Sequence, residues 1–160
     1  MPNWCDNYFS VTHSDAAQLQ RMQEAYARGE LFQEFMPIEP EEDTVSGHAA
    51  KWGTKWDVGG KDYDCDLVDN QLTMRFDTAW APPLGFYEHL TSLGFSVIAY
   101  YYEPGMEFCG KWTSEEGDDS YDVEGDSAWV ADNIPADIDE HMGVSSQLAN
   151  WEEEEQEETE

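Results

Sequence analysis

Apolar residues alternate or recur at helical spacing along the first hundred positions, and these spacings predict the first elements. Tyr8 to Thr12 places Phe9 and Val11 on one face, which is typical of a strand. Ser14 is a suitable N-cap for a helix that continues to about Arg28. The apolar face of that helix consists of Leu19, Met22 and Tyr26. The chain therefore begins with a strand followed by an amphipathic helix.

Two runs in the middle of the chain predict a β-hairpin. Asp62 to Val68 and Gln71 to Asp77 flank Asp69 and Asn70, which suit a two-residue turn. A hairpin about this turn pairs Tyr63 with Phe76, Cys65 with Met74, and Leu67 with Leu72. All three pairs are apolar, so the register agrees with the hydrophobic pattern and places one face of the hairpin on a core.

A second helix and a further strand follow the hairpin. Pro82 and Pro83 are typical of a helix start, and Gly94 marks the end of that helix. Its apolar stripe consists of Phe86, Leu90 and Leu93. Phe95 to Tyr102 is rich in β-branched and aromatic residues, which predicts a strand.

The order of these elements, βαββαβ, predicts an α+β fold of the ferredoxin-like type. In this fold two helices cover one face of an antiparallel sheet. The other face is expected to be open to solvent or to a partner, and a homodimer could form through it. Residues 1–112 would make up this domain.

The rest of the chain is predicted to be an acidic extension and a tail. Residues 113–150 are expected to pack on the domain. Glu107 to Trp112 and Ser120 to Glu124 are predicted to form an added hairpin, and Asp132 to Met142 a short helix. Residues 151–160 include seven Glu in the last nine positions and are expected to be a disordered acidic tail.

The composition is compatible with a folded domain, although its aliphatic content is low. Leu, Ile, Val and Phe total 27 of 160 residues, a fraction that together with a high net charge is typical of disordered chains. Seven Trp, eight Tyr and seven Phe compensate, because each aromatic side chain can bury about 150–250 Å². A core rich in aromatic residues is therefore expected.

The charge of the chain limits the classes of partner. Asp and Glu number 36 and Lys and Arg number 7, for a net charge of −29. Direct binding of nucleic acid or of an anionic membrane is not expected, because both need clustered Lys and Arg. Residues 1–102 hold 16 acids and 6 bases, net −10, whereas residues 103–160 hold 20 acids and 1 base, net −19. The excess predicts a basic partner that contacts mainly the C-terminal part.

Four motifs resemble those of a known family. They are Met1-Pro2-Asn3-Trp4-Cys5 with Asn7, Trp52-Gly53-Thr54-Lys55-Trp56-Asp57, Phe76-Asp77-Thr78-Ala79-Trp80 with Pro82-Pro83, and Glu103-Pro104-Gly105 with Phe108 and Gly110. In this order they are similar to the YubB-like family of bacterial plasmid and phage proteins. The resemblance implies a ferredoxin-like domain from a mobile genetic element, without an established enzymatic activity. The motif tryptophans are expected to pack in the core or at the domain edge rather than to stack on bases.

Asp62, Asp64 and Asp66 are the first group of candidate site residues. They alternate with apolar residues, so their carboxylates are expected on the sheet face opposite the core. That face is either solvated, with one cross-strand ion pair from Asp64 to Arg75, or an acidic stripe for a partner. A metal site is a further alternative, since Asp62 would face Asp77. No metal is assigned, because the spacing does not match a calcium-binding loop.

The second group is the acidic run of residues 115–126, which consists of Glu115, Glu116, Asp118, Asp119, Asp122, Glu124 and Asp126. Acids two apart in an extended chain are about 6–7 Å apart, which is of the same order as the spacing of phosphates along a nucleic-acid strand. Such a row could occupy a DNA-binding groove of another protein. The alternative is a solvated loop, the usual role of a charged run.

Recognisable catalytic motifs are absent from the sequence. It contains no Gly-x-Ser-x-Gly motif, no phosphate-binding glycine loop with Lys, and no His-Glu-x-x-His motif. Its three Cys are odd in number and widely spaced, which indicates free thiols in a reducing cytoplasm rather than a disulfide framework, and none forms a Cys-x-x-Cys pair. No catalytic residue and no cofactor are assigned, and the chain is expected not to be an enzyme. A metal-dependent enzyme of unknown type is the alternative in that class.

We therefore expect a phage- or plasmid-encoded protein that binds a basic host protein in the cytoplasm. The partner would be a DNA-binding or defence protein, such as a restriction or CRISPR complex, and inhibition would occur by DNA mimicry or electrostatic blocking. The alternative is a non-catalytic accessory domain whose acids provide solubility or salt adaptation. The uneven distribution of charge favours the first hypothesis.

Overall fold

Six strands form one antiparallel sheet in the computed structural model, which describes residues 3–60 and 64–159. The strands are β1 (Trp4–Thr12), β2 (Asp64–Val68), β3 (Gln71–Ala79), β4 (Ser96–Glu103), β5 (Phe108–Thr113) and β6 (Gly117–Asp122). Their order across the sheet is β2-β3-β1-β4-β5-β6, so β2 and β6 are its two edges.

Seven α-helices connect or cover the strands in this part of the chain. They are α1 (Ala16–Arg28), α2 (Leu31–Phe35), α3 (Val45–Trp52), α4 (Leu84–Ser92), α5 (Ser127–Asn133), α6 (Ala136–Met142) and α7 (Val144–Thr159). The N-cap of α1 is Asp15 rather than the predicted Ser14, because the Asp15 carboxylate accepts a hydrogen bond from the Ala17 amide at 3.0 Å. Gly29 ends α1 in the left-handed region, at a φ of 79°.

The prediction of an α+β ferredoxin-like fold is confirmed. β1, α1, β2, β3, α4 and β4 follow one another in the expected order, and every neighbouring pair of strands is antiparallel. β5 and β6 continue the same sheet beyond β4, where the sequence predicted an added hairpin. Their pairing joins residues 108–113 to residues 117–122, so it crosses residue 112, the predicted end of the ferredoxin-like domain.

The hairpin of β2 and β3 has the predicted register. Asp64 pairs with Arg75, Cys65 with Met74, Asp66 with Thr73, and Leu67 with Leu72. The predicted pairs Tyr63–Phe76 and Asp62–Asp77 lie outside the described residues. Asp69 has a φ of 56° in the turn, which agrees with the tolerance of Asp and Asn for the left-handed region.

One face of the sheet packs against α1 and α4 around an aromatic core. The rings of Phe9 and Tyr87 stack with centroids 5.4 Å apart, and those of Phe32 and Phe86 are 4.6 Å apart. Other buried members are Val11, Leu19, Met22, Leu72, Met74, Leu90, Val97 and Trp112. Aromatic rings thus supply buried area that the few aliphatic residues do not.

The second face is covered over its middle, which corrects the prediction of an open face. α5 and α6 pack on it through Val130, Ile138 and Met142. His141 of α6 also stacks on the Tyr100 ring, with centroids 4.1 Å apart. Sheet residues in this second cluster include Tyr8, Tyr100, Tyr102 and Cys109. The apolar residues of the extension are buried against this face, because contact with water is unfavourable for them. The middle of the face is therefore not available to a second copy.

The C-terminal segment is more helical than predicted. Pro135 separates α5 from α6 where one helix from Asp132 to Met142 was predicted, because proline disfavours a helical conformation in the residue before it. α7 continues to Thr159, where a disordered tail was predicted. Glu152 accepts hydrogen bonds from the amide and the hydroxyl of Ser127 at 2.9 and 2.8 Å. These bonds attach α7 to the start of α5.

Candidate functional site

A cleft of about 530 Å³ lies at one end of β1 and β3, beside residues 56–59. Trp4 and Trp56 line it, and Asp6 and Asp77 contribute carboxylates from the two strands. We name this site the Trp–Asp cleft. Its aromatic and acidic residues come from separate regions of the sequence and are brought together by the pairing of β1 with β3.

Trp4 and Trp56 line this cleft, and Trp80, from a third motif, lies beside Lys55. Trp4, Trp56 and Trp80 are 46%, 45% and 41% exposed. The ring centroids of Trp4 and Trp56 are 6.0 Å apart, and the Lys55 ammonium lies 5.6 Å from the Trp56 ring and 5.7 Å from the Trp80 ring. Trp52 is buried in the core, as predicted. Trp56 and Trp80 lie instead at the domain edge with almost half of their surface exposed.

Hydrogen bonds to the backbone fix the segment that carries Trp56. The Thr54 hydroxyl donates to the Ala79 carbonyl at 2.9 Å, which attaches the segment to the end of β3. Asp57 accepts hydrogen bonds from two amides of α2 at 2.7 and 2.9 Å. Asp57 therefore has a structural role, although it borders the cleft.

Trp80 is held in an unusual backbone conformation. Its φ is 72°, in a region that bulky residues rarely adopt and that costs about 1–3 kcal/mol. The Trp80 amide donates to the Asn3 carbonyl at 2.8 Å, so this turn is attached to the start of β1. Trp80 is thus held in this conformation at an energetic cost, which is a common feature of functional sites.

Asp6 and Asp77 form a pair of like charges across β1 and β3. They are direct partners in the strand register, and Cβ atoms of such residues are about 4.5–5.5 Å apart. Burial raises the pKa of both carboxyls, and for Asp6 the charge of Asp77 raises it further while Arg75 lowers it. Neither carboxylate forms an ion pair within residues 3–60 and 64–159.

Trp4 and Asp6 were not identified as site residues from the sequence. The predicted first strand began at Tyr8, whereas β1 begins at Trp4. Extending the alternation back to Trp4 would have placed Trp4 and Asp6 on the same face as Tyr8, away from the core. The alternation of residues 4–12 therefore contained the information that places Trp4 and Asp6 on this face.

Arg75 borders the cleft and acts on Asp6 by its charge, but it forms no ion pair with either member of the acidic pair among the described residues. Its guanidinium lies 4.9 Å from the Tyr8 ring and donates to the His141 carbonyl at 3.2 Å. Its backbone pairs with that of Asp64, as predicted. The bond to His141 connects the cleft strand β3 to the C-terminal helices.

The acids predicted to bind a partner lie at both edges of the sheet. β2 carries Asp64 and Asp66, whereas Asp62 lies outside the described residues. At the other edge are Glu115 and Glu116 in the turn between β5 and β6, Asp118, Asp119 and Asp122 on β6, and Glu124 and Asp126 after it.

The acids of β6 do not form the single row that was predicted. Asp118 and Asp122 share one face of the strand and Asp119 lies on the other, because strand residues alternate. Asp118 accepts a hydrogen bond from the Tyr101 hydroxyl, and Asp126 is the N-cap of α5. These two carboxylates therefore have structural roles. The remaining exposed acids of the turn and strand are Glu115, Glu116, Asp119 and Asp122, which we name the hairpin acids.

The hairpin acids are not neutralised by ion pairs in the part of the chain that the structure describes. Bases pair with acids elsewhere: Arg21 and Arg28 with Glu34, Lys51 with Glu42, and Lys111 with Asp137. The β6 edge therefore presents its negative charge to solvent.

The described residues show little support for metal or thiol chemistry. No group of three or more His, Cys, Asp or Glu among them is arranged to hold a metal ion. Burial raises the pKa of the Cys5 and Cys109 thiols, that of Cys109 to about 11, and a buried thiol of this kind is a poor nucleophile. No helix in the same residues has the length and apolar content that a membrane span requires.

Comparison with known proteins identifies a family but no reaction. A family model described as a ferredoxin-like domain in Api92-like protein matches residues 51–159. This match includes the acidic extension and does not carry the YubB-like name. The crystal structure of a protein Api92 from Yersinia pseudotuberculosis is 18% identical, with a TM-score of 0.38, and the match covers 58% of this chain and 33% of that one. The chain thus spans about a third of that protein's length. No curated protein matches the chain.

Proposed function

The chain belongs to the family of ferredoxin-like domains in Api92-like proteins, and we propose that it is a non-catalytic protein that binds a basic surface of a partner protein. The hairpin acids contact Lys and Arg side chains that otherwise bind phosphates. The bound chain then excludes nucleic acid from the partner by charge and by bulk.

The observation that carries this proposal is the unneutralised charge at the β6 edge. The hairpin acids are exposed, and none of them pairs with a base in the described residues. An edge strand also presents unpaired N–H and C=O groups, and charges on it prevent pairing with a second copy. The same charges accelerate association with a basic partner.

We further propose that the partner is a DNA-binding or defence protein of a bacterial host and that the chain is encoded by a phage or plasmid. The four sequence motifs support this origin, and the net charge of −29 supports DNA mimicry or electrostatic blocking. The chain then acts in the host cytoplasm. A domain whose acids serve only hydration or salt adaptation is the second proposal, and an even distribution of charge would favour it.

Neutralising the hairpin acids is expected to weaken competition with DNA about tenfold. Immobilised double-stranded DNA is loaded with DNA-binding proteins of a bacterial lysate, the purified chain is added, and the released proteins are identified by mass spectrometry. The unmodified chain should release specific proteins. The variant with Glu115→Gln, Glu116→Gln, Asp119→Asn and Asp122→Asn should release them about tenfold less efficiently, because four charge contacts of a few tenths of a kcal/mol each are lost.

The matched control neutralises four exposed glutamates of α7, with Glu153→Gln, Glu154→Gln, Glu157→Gln and Glu158→Gln. It removes the same charge and should release the same proteins as the unmodified chain. Equal loss in both variants would contradict a site at the hairpin, and absence of release by the unmodified chain would contradict the proposed function. Unfolding of the unmodified chain at low salt, measured by circular dichroism, would favour salt adaptation instead.

A further inference from the structure

The Trp–Asp cleft combines two features that suit one kind of side chain. Trp4 and Trp56 line the cleft with almost half of their surface exposed, and aromatic rings attract cations. Asp6 and Asp77 add two carboxylates at neighbouring positions of the sheet. A planar guanidinium can stack on an aromatic ring and donate hydrogen bonds to carboxylates at the same time, which distinguishes it from the compact ammonium group of lysine.

We propose that the Trp–Asp cleft binds an arginine side chain of the partner protein. The guanidinium lies between the carboxylates of Asp6 and Asp77 and packs against the rings of Trp4 and Trp56. This inference rests on the proposed function, because it gives the basic partner an anchor residue in addition to its contacts with the hairpin acids. The volume of about 530 Å³ is in the range of pockets that enclose small ligands.

Charge complementarity at the cleft favours a cation despite the two bases that the described residues place nearby, Arg75 and Lys55. Arg75 is held by the Tyr8 ring and the His141 carbonyl. Lys55 lies 5.6 Å from the Trp56 ring centroid and 5.7 Å from that of Trp80, and no ring contact of Lys55 with Trp4 is seen among the described residues. Neither base forms an ion pair with the acidic pair in the described residues. Among the residues that the structure describes, no base therefore occupies the two carboxylates.

A second copy of the chain is a poor source of this arginine. The sequence contains only Arg21, Arg28 and Arg75. Arg21 and Arg28 form ion pairs with Glu34, and Arg75 is engaged as described above. Two copies would also repel each other, since each carries a net charge of −29. The arginine is thus assigned to a different, basic protein.

The energetic cost of the cleft agrees with a binding role. Asp6 and Asp77 are direct partners across β1 and β3, and their like charges repel each other. A bound guanidinium would relieve the repulsion and lower the pKa of both carboxyls, which burial raises in the free protein. Sites that bind a ligand often retain such unfavourable features at the expense of stability.

Titration of the full chain with N-acetylarginine methylamide tests the proposal. Proton–nitrogen spectra follow the indole N–H signals of the seven tryptophans, and Trp→Phe variants assign those of Trp4 and Trp56. We expect these two signals to shift while that of Trp151, an exposed tryptophan of α7, does not. The corresponding citrulline compound, which has nearly the same shape without the charge, should produce no shift.

Asp77→Asn should weaken binding of the arginine compound at least about fivefold, because a charged hydrogen-bond acceptor is lost. The variant of the hairpin acids should bind it like the unmodified chain. Equal shifts with citrulline, equal affinity in Asp77→Asn, or no shift at Trp4 and Trp56 would overturn the proposal. If the arginine compound did not bind the cleft but the chain still released proteins from DNA, only the cleft proposal would be contradicted. Binding of the arginine compound without any release of proteins from DNA would support the cleft as an arginine site and contradict the proposed function.

Discussion

Replacing Ile138 by alanine is expected to destabilise the protein by about 2–5 kcal/mol. Ile138 is 1% exposed and belongs to the apolar cluster between the C-terminal helices and the second face of the sheet. The truncation removes buried methyl and methylene groups and leaves a cavity, because surrounding side chains relax only in part. Urea unfolding, followed by tryptophan fluorescence and circular dichroism, measures the change in the free energy of unfolding.

The control for this substitution is Leu93→Ala, which truncates a side chain that is 44% exposed. It should change stability by less than about 1 kcal/mol. If Ile138→Ala destabilised no more than the control, the C-terminal helices would not pack on the sheet, and the second face would be open as the sequence had suggested. A large effect supports one cooperative unit that includes the acidic extension.

Asp6→Asn and Asp77→Asn are each expected to stabilise the free protein at neutral pH by about 0.5–1 kcal/mol. Both remove a charge that is partly desolvated and that repels its cross-strand partner. The expected gain is small because Asp77 is exposed and water screens the repulsion. Thermal and urea unfolding at several pH values provide the measurement.

The pH dependence of this effect has a definite sign. A carboxyl with a raised pKa in the folded state binds more protons there than in the unfolded chain. The free energy of unfolding therefore falls as the pH rises from the ordinary value of 3.8 through the raised pKa. The advantage of the Asn variants should be complete above this interval and disappear below it.

Glu24→Gln, at an exposed position of α1, is the control for loss of one negative charge. It should change stability by less than about 0.5 kcal/mol at every pH. Loss of stability in both Asn variants at neutral pH would contradict an unfavourable acidic pair. Gain of stability together with loss of arginine binding is the combination that a binding site predicts.

The elements with strong local patterns were predictable from the sequence. Three apolar pairs defined the register of β2 with β3, and the two of them that the structure describes have it. Leu19, Met22 and Tyr26 correctly identified the buried face of α1. In these cases neighbouring residues alone determine which side chains face the core.

The positions of the C-terminal helices and the candidate site were harder to predict. The sequence of α7 is rich in glutamate and therefore resembles that of a disordered tail. The attachment of this helix involves two hydrogen bonds from the distant Ser127 to Glu152 and the packing of Val144 and Leu148 in the second cluster. The Trp–Asp cleft likewise depends on long-range pairing, since Trp4 and Trp56 meet only in the folded sheet. Sequence spacing does not specify such contacts, although the alternation from Trp4 onward indicated which side chains point away from the core.

The salt dependence of the affinity between the chain and its partner protein tests most directly whether charge holds the two together. A host protein that the chain releases from DNA is purified, and its dissociation constant with the chain is measured between about 50 and 300 mM salt. We expect binding to weaken strongly over this range, and the variant of the hairpin acids to bind weakly with a shallower dependence on salt. An affinity that stayed the same across the range, and in that variant, would show that the acidic edge does not hold the partner.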